Sequence, residues 1–326
     1  MNNLFLLLPT LAWIASVIGT YIVLRILTRA CVMDNPNERS NHKAPVPRGG
    51  GLAMIGVALI CLFFAGIAWQ ILAAALLLAA VSFADDLRGM PVWLRFGTQF
   101  IAVALAMDAL NLRIFPLDTP QELEWAFVAL LWLWFINLTN FMDGIDGISA
   151  MQAIMQAVGI MLFHMFTSPL PMWLAISAGI MAAVSLGFLR YNLSPARIFM
   201  GDVGSIPLGF LMGFLLLTLA SYGHWAAALL LPAYYLTDAT LTLFKRALRG
   251  EKVWRAHSEH AYQKAVRRGL SHNAVVARIT LLNLLLIGLA LLPMHSIMAG
   301  IITCVAGYAA ALLMVVNLAN APAKEG

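Results

Sequence analysis

The sequence predicts an all-α, polytopic integral membrane protein, and three observations carry that prediction. Of 326 residues, 62% are hydrophobic and only 11% charged, where a soluble domain is about 45–50% apolar and about 25% charged. The apolar residues run in stretches near the length that crosses a bilayer as helix, about 20 residues. The remaining polar residues gather in five clusters that the alternation of spans allows on one membrane face. Helix is the expected state of the spans, because backbone groups in lipid must be satisfied within the segment.

Eleven spans (10–11) are read in order. They are Leu4–Leu24, Gly51–Trp69, Ile71–Ala84, Val92–Leu110, Trp125–Phe141, Ile148–Phe166, Met172–Leu189, Ser205–Tyr222, Trp225–Phe244, Ala274–Leu292 and Ile297–Val316. The third is short, and tilt or extension into the polar segment after it makes up the length. The first has no cationic start and no small-residue cleavage site after it, so a retained helix is expected rather than a signal peptide. Cys31, Cys61 and Cys304 have no paired spacing and read as small apolar residues.

Orientation follows from the cations. With an odd number of spans and the N-terminus outside, every Lys and Arg except Arg113 falls on the inner side. This is the positive-inside pattern, and it puts the C-terminus in the cytoplasm. The net charge of +5 then describes a basic surface facing anionic headgroups, and no nucleic-acid partner is expected. Residues 1–326 read as one membrane domain, with polar loops near 29–50, 85–92, 141–147, 190–204 and 245–273.

Each cluster suggests chemistry. The segment from Asp34 to Gly51 holds three prolines and three glycines, a shaped loop rather than a helix. Its Arg39, His42, Lys43 and Arg48 suit phosphates, with Gly49 to Gly51 allowing close backbone approach. Asp85 and Asp86 end the third span, where two adjacent anions meet the unfavourable end of the helix dipole; a magnesium ion, a phosphate-bound cation or a transferable proton explains them. Asn137, Asn140 and Asp143 follow at i, i+3 and i+6, and Asp143-Gly and Asp146-Gly break the helix. That density of oxygens suits a hydrated metal ion, a nucleobase edge or sugar hydroxyls.

Asn192 opens the fourth cluster, which closes on Phe199-Met-Gly-Asp-Val-Gly-Ser205, with Ser205 as the expected N-cap and Asp202 between glycines. In the fifth, His257 and His260 lie at i, i+3 among Arg255, Lys264, Arg267 and Arg268. Phosphate contact fits these better than zinc, for which no cysteine is near. Asp238 lies inside the ninth span, and an intramembrane acid is functional by default, here with Lys245 and Arg246 as neutralisers.

These clusters, in this order, resemble the polyprenyl-phosphate N-acetylhexosamine-1-phosphate transferases. The resemblance runs from about Asp34 to His260; Asp143-Gly-Ile-Asp-Gly147 and Phe199-Met-Gly-Asp-Val-Gly-Ser205 are its most specific parts. It implies transfer of a sugar-1-phosphate from a UDP-sugar to undecaprenyl phosphate, with release of UMP, at the inner face of a bacterial cytoplasmic membrane. It also implies Mg²⁺, with Mn²⁺ able to substitute. Members that make peptidoglycan carry three consecutive histidines in the last loop, whereas this chain has His257-Ser-Glu-His260. The resemblance is therefore closer to initiators of O-antigen and other surface polysaccharides, with a UDP-N-acetylhexosamine donor such as a 6-deoxy sugar. The phospho-N-acetylmuramoyl-pentapeptide transferases are the alternative. A homodimer is one oligomeric option.

The resemblance assigns roles by residue. Asp202, with Asp85 and Asp86, is expected to hold the metal. Asp85, Asp86, His257 and His260 are the catalytic candidates. Lys43, Arg48, Asn137, Asn140, Asp143, Asp146, Asn192 and Arg255 are expected to bind substrate. A monoester phosphate has its second pKa at about 6, so the acceptor is already dianionic and single in-line attack is preferred to an aspartyl-phosphate. A lipid-phosphate or nucleotide-sugar transporter is the reading from another class, but it calls for acids near the midplane and inverted repeats.

Overall fold

The computed structural model describes residues 2–36, 44–110, 113–115, 119–166, 170–253, 257–292 and 296–322. It is nearly all helix: α1 (Asn2–Arg29), α2 (Gly51–Phe64), α3 (Trp69–Arg88), α4 (Val92–Leu110), α5 (Gln121–Phe141), α6 (Ile148–Phe166) and α7 (Met172–Asn192). Then come α8 (Asp202–Ser221), α9 (Trp225–Leu230), α10 (Ala233–Leu248), α11 (Ala261–Arg267), α12 (His272–Ala290) and α13 (Ile297–Ala319). Eight of these helices are long and apolar enough to cross a membrane: α1, α3, α5, α6, α7, α8, α12 and α13, and α2 and α4 contain shorter apolar helices. The expected polytopic, all-α class is therefore observed.

Several boundaries differ from the sequence reading, each for a local reason. The second span stops at Phe64, and Gly66 at φ 83° turns the chain before α3 begins at Trp69. The short third span extends through Asp85 and Asp86 to Arg88. The ninth is two helices, because Pro232 lacks the N–H that would continue α9. The carbonyl of Leu231 beside this break accepts from Gln152 Nε2 at 3.2 Å, and Gln152 Oε1 in turn accepts from Asn283 at 2.7 Å.

Burial follows a ring-and-axle plan. α8 is buried along nearly its whole length and packs against α3 and α5, while α7 packs between α1 and α6. The outer faces of α1 and α13 expose Leu11, Ile18, Ile26, Ile302, Val305 and Leu313, a surface that lipid rather than water can cover. A two-residue antiparallel ladder, β1 (Met33–Asp34) with β2 (Val46–Pro47), folds the first loop back over the end of α1. Because the spans alternate, the C-terminal ends of α3, α5, α7 and α10 meet the N-terminal ends of α2, α4, α6, α8 and α12 at one end of the bundle.

Candidate active site

The site is built where two loops zip together. Gly49 and Gly50 N–H donate to the Phe199 carbonyl, at 3.2 and 2.8 Å, and Gly51 N–H donates to Met200 O at 2.9 Å. Phe199 N–H returns to Pro47 O at 2.8 Å. The glycines thus serve close approach to the protein's own chain: a Cβ on Gly51 would overlap the backbone of Gly204. This pairing carries Arg48 to the start of α8.

Asp86 completes that start. Its carboxylate accepts from the N–H groups of Asp202 and Val203, at 3.2 and 3.0 Å, so α3 supplies the cap for α8. The N-cap residue itself is Gly201, at φ 73° with no side-chain bond. A Cβ there would stand 2.7 Å from Asp86 Oδ2. Ser205, expected as the cap, lies inside α8 and donates to Asn140 Oδ1 at 2.8 Å. The cap came from a different helix because Gly201 has no side chain to offer.

Two guanidiniums sit among three carboxylates. Arg48 Nη2 is 2.9 Å from Asp86 Oδ1 and 2.8 Å from Asp202 Oδ1. Arg95 Nη1 is 3.0 Å from Asp85 Oδ2 and 3.7 Å from Asp202 Oδ2. The Asp86 side chain is 2% exposed and that of Asp202 14%. Asp143 adds a fourth acid. Burial pushes its carboxyl up to about 7, and Asp202 and Asp86 add to the rise against the opposing bond from Ser149 and the charge of Arg48. Four carboxylates thus gather around two guanidiniums, and burial is the larger cause of the rise at Asp143. Arg95 was missed as a site residue in the sequence; the signal was a cation in the first turn of α4, just across the short turn from Asp85-Asp86.

The other clusters join this one. Asp146 Oδ2 lies 3.0 Å from His272 Nδ1 and accepts from Ala196 N–H at 3.1 Å, and the Asp146 N–H faces the same ring nitrogen at 3.3 Å. Burial alone would raise its pKa, but the bonds from His272, Ser194 and Ala196 hold it below the usual carboxylate range. Asn192 Oδ1 accepts from Gly147 N–H and its Nδ2 donates to Ile198 O, each at 2.9 Å; Asn192 thus ties the two loops together. Tyr262 of α11 donates to Phe141 O at 3.0 Å.

The histidines separate. His257 is half-buried, and burial, with the charges of His260 and Arg246 adding, pushes its pKa down to about 4, so it is neutral at pH 7. His260 is buried beneath it, 4.8 Å between ring centroids.

Not every expected residue arrives here. Asn137 is buried on α5 and donates to Gln99 of α4 at 2.7 Å and to Leu133 O at 2.8 Å. It does not share a face with Asp143, because α5 ends at Phe141. Arg246 does not neutralise Asp238; it meets Glu251 at 2.8 Å and Glu259 at 3.5 Å. Lys43, Arg39, His42 and Arg255 lie outside the described residues.

An apolar groove of about 750 Å³ lies between α5, α8, α9 and α10, lined by Phe127, Leu131, Trp132, Phe135, Leu216 and Leu236. Its lining runs from Phe127 to Phe135 on α5 and from Gly213 to Ala220 on α8, within the apolar part of the bundle.

A polytopic helical protein with a carboxylate- and arginine-lined site at one end of its bundle is the class that fold and site define. The glycosyl transferase family 4 model matches residues 68–220, the segment that carries Asp85, Asp86, Asp143 and Asp202. The chain is 28% identical over 278 residues to the probable undecaprenyl-phosphate N-acetylglucosaminyl 1-phosphate transferase of Bacillus subtilis, covering 81% of this chain and 78% of that protein. It is 28% identical over 295 residues to the decaprenyl-phosphate N-acetylglucosaminephosphotransferase of Mycolicibacterium smegmatis, covering 76% and 71%. A phospho-N-acetylmuramoyl-pentapeptide-transferase of Fervidobacterium nodosum is 30% identical over 181 residues, covering 52% and 58%. These matches bear out the resemblance to the polyprenyl-phosphate N-acetylhexosamine-1-phosphate transferases that the motifs carry.

Proposed function

We propose that this protein transfers an N-acetylhexosamine-1-phosphate from a UDP-sugar to undecaprenyl phosphate, releasing UMP, at the inner face of a bacterial cytoplasmic membrane. The observation that carries the proposal is the Arg48–Asp86–Asp202–Arg95–Asp85 cluster beside Asp143. All the reactants are anions, so catalysis here is chiefly positioning and charge neutralisation. The long matches to N-acetylglucosamine-phosphate transferases support the hexosamine donor. The His257-Ser-Glu-His260 departure supports an initiator of O-antigen or another surface polysaccharide over the pentapeptide reaction.

The residues fit a hydrated magnesium ion. Among the described residues no group of three or more His, Cys, Asp or Glu is arranged as a cage; Mg²⁺ is commonly held by one or two carboxylates, waters and substrate phosphates. Asp202, the more exposed of the Arg48 partners, would hold it, with Asp85 or Asp86 beside it, and the ion would supply charge neutralisation at the transferred phosphate. Arg48 and Arg95, now paired with carboxylates, are placed to turn to phosphate oxygens. Neutral His257 donates a hydrogen bond rather than a charge. The acceptor phosphate needs no strong base, since it is dianionic above its pKa of about 6. The groove beside α5 suits the polyprenyl chain.

With the N-terminus outside, the charge bias puts this end of the bundle in the cytoplasm, where UDP-sugars are found. The test is a panel of UDP-sugars offered to purified protein with undecaprenyl phosphate and Mg²⁺. UMP should appear with an N-acetylhexosamine donor and only when the lipid is present; no UMP from any donor would end the proposal.

A further inference from the structure

Asp238 is fully buried, and among the described residues Arg246 of α10 pairs with Glu251 and Glu259. Four hydrogen-bond donors surround Asp238 instead, with the His260 ring beside them. Ala261 N–H is 2.9 Å from Oδ1 and Tyr262 N–H 3.4 Å from Oδ2. The Tyr234 hydroxyl donates to Oδ2 at 3.0 Å and Thr242 to Oδ1 at 3.2 Å. His260 Nδ1 stands 3.6 Å from Oδ1 and has no hydrogen-bond partner among the described residues. A buried carboxylate is retained only where such donors gather.

This geometry ties remote parts of the chain together. The two backbone donors are the first N–H groups of α11, so Asp238 on α10 caps a helix more than twenty residues further along. Gln263 completes the cap by accepting from His260 N–H at 3.3 Å. The His260 ring stacks on Tyr262, 5.7 Å between centroids at 11°. Tyr262 reaches Phe141 O, two residues before Asp143.

We propose that Asp238 is a positioning residue for the reaction, acting through His260 to hold the histidine segment against the Asp143 loop. The proposal rests on the transferase reading above. Asp238 touches no substrate; it sets the place of His260 through the start of α11 and, with it, the seat of His257.

The test is Asp238→Asn, which keeps size but turns one acceptor oxygen toward donors as an NH₂ group. Hydrogen exchange at Ala261 and Tyr262 should quicken. The kcat should fall on the order of 10- to 100-fold, with KM for the nucleotide sugar little changed. In a His260→Gln background the same change should cost less than it does in the wild type, because part of its effect acts through His260. Wild-type exchange with wild-type kcat, or losses that multiply in the double variant, would overturn the proposal. If Asp238→Asn does not fold, Tyr234→Phe and Thr242→Val each remove one donor and leave the carboxylate. Faster exchange at Ala261 with lower kcat then supports the proposal, and no change in either overturns it. A wild type that turns over no donor would sink the transferase reading instead, while the exchange measurement would still decide whether Asp238 holds this segment.

Discussion

Asp86→Ala tests how much of the site is held by a borrowed helix cap. Its carboxylate serves two α8 N–H groups and Arg48, and its side chain is 2% exposed, so water cannot take its place. Losing an N-cap costs about 1 kcal/mol, and buried donors left without partners cost about 1–3 kcal/mol each. Part of that is recovered, because Arg48 keeps Asp202. The net expectation is a loss of about 2–4 kcal/mol. Asp86→Asn keeps an acceptor, and asparagine caps as well as aspartate, so its loss should be under about 1 kcal/mol. Reversible denaturation in mixed detergent micelles, with each variant in the same micelle, measures the difference. An Asp86→Ala variant as stable as wild type, or an Asn variant as unstable as the Ala variant, would refute the capping argument.

Three further outcomes are expected. Gly51→Ala should lose activity and cost about 1–3 kcal/mol by overpacking, read by the same denaturation assay, because the methyl meets the rigid backbone of Gly204; a silent change would show that the two loops do not pack so closely. His257 has a folded-state pKa of about 4 against an ordinary 6.5, so between these values the unfolded chain binds the extra proton and stability falls as pH falls; from pH 7 to 5 the wild type should lose about 1–2 kcal/mol more than His257→Gln, after discounting for partial exposure, and parallel pH curves would contradict this. A single cysteine at Ser194 should react with an impermeant thiol reagent only from the cytoplasmic side and one at Thr119 only from the outside; labelling of Ser194 from the outside would break the single-face arrangement.

Much of this was legible because membranes impose simple rules. Composition and span length were enough for the helical class, and the alternation of spans was enough to bring Arg48, Asp86, Asn140, Asp146, Asn192 and Asp202 to one end. What could not be read were interactions between remote helices. Asp86 read with Asp85 as one of two adjacent anions at a helix end, a metal or catalytic candidate, and only the packing of α3 against α8 turns it into a cap for Asp202 and Val203. Asn137 was grouped with Asn140 by spacing, yet Gln99 on α4 claims it. Pro232 was in plain view, but whether a proline kinks a span or divides it depends on neighbours such as Gln152. His260 and Asp238 were both singled out, and nothing in their separation said that one holds the other.

A cluster of acids and arginines that transfers a sugar phosphate to a lipid phosphate must leave a lipid diphosphate as its product. The most direct measurement is mass spectrometry of the lipid fraction after incubating purified protein with undecaprenyl phosphate, Mg²⁺ and a UDP-N-acetylhexosamine, comparing wild type with folded Asp202→Asn. The account predicts undecaprenyl-diphosphate-linked hexosamine, with UMP in equal amount, from the wild type and none from Asp202→Asn. The same lipid product from both proteins, or from neither with any UDP-sugar, would contradict it.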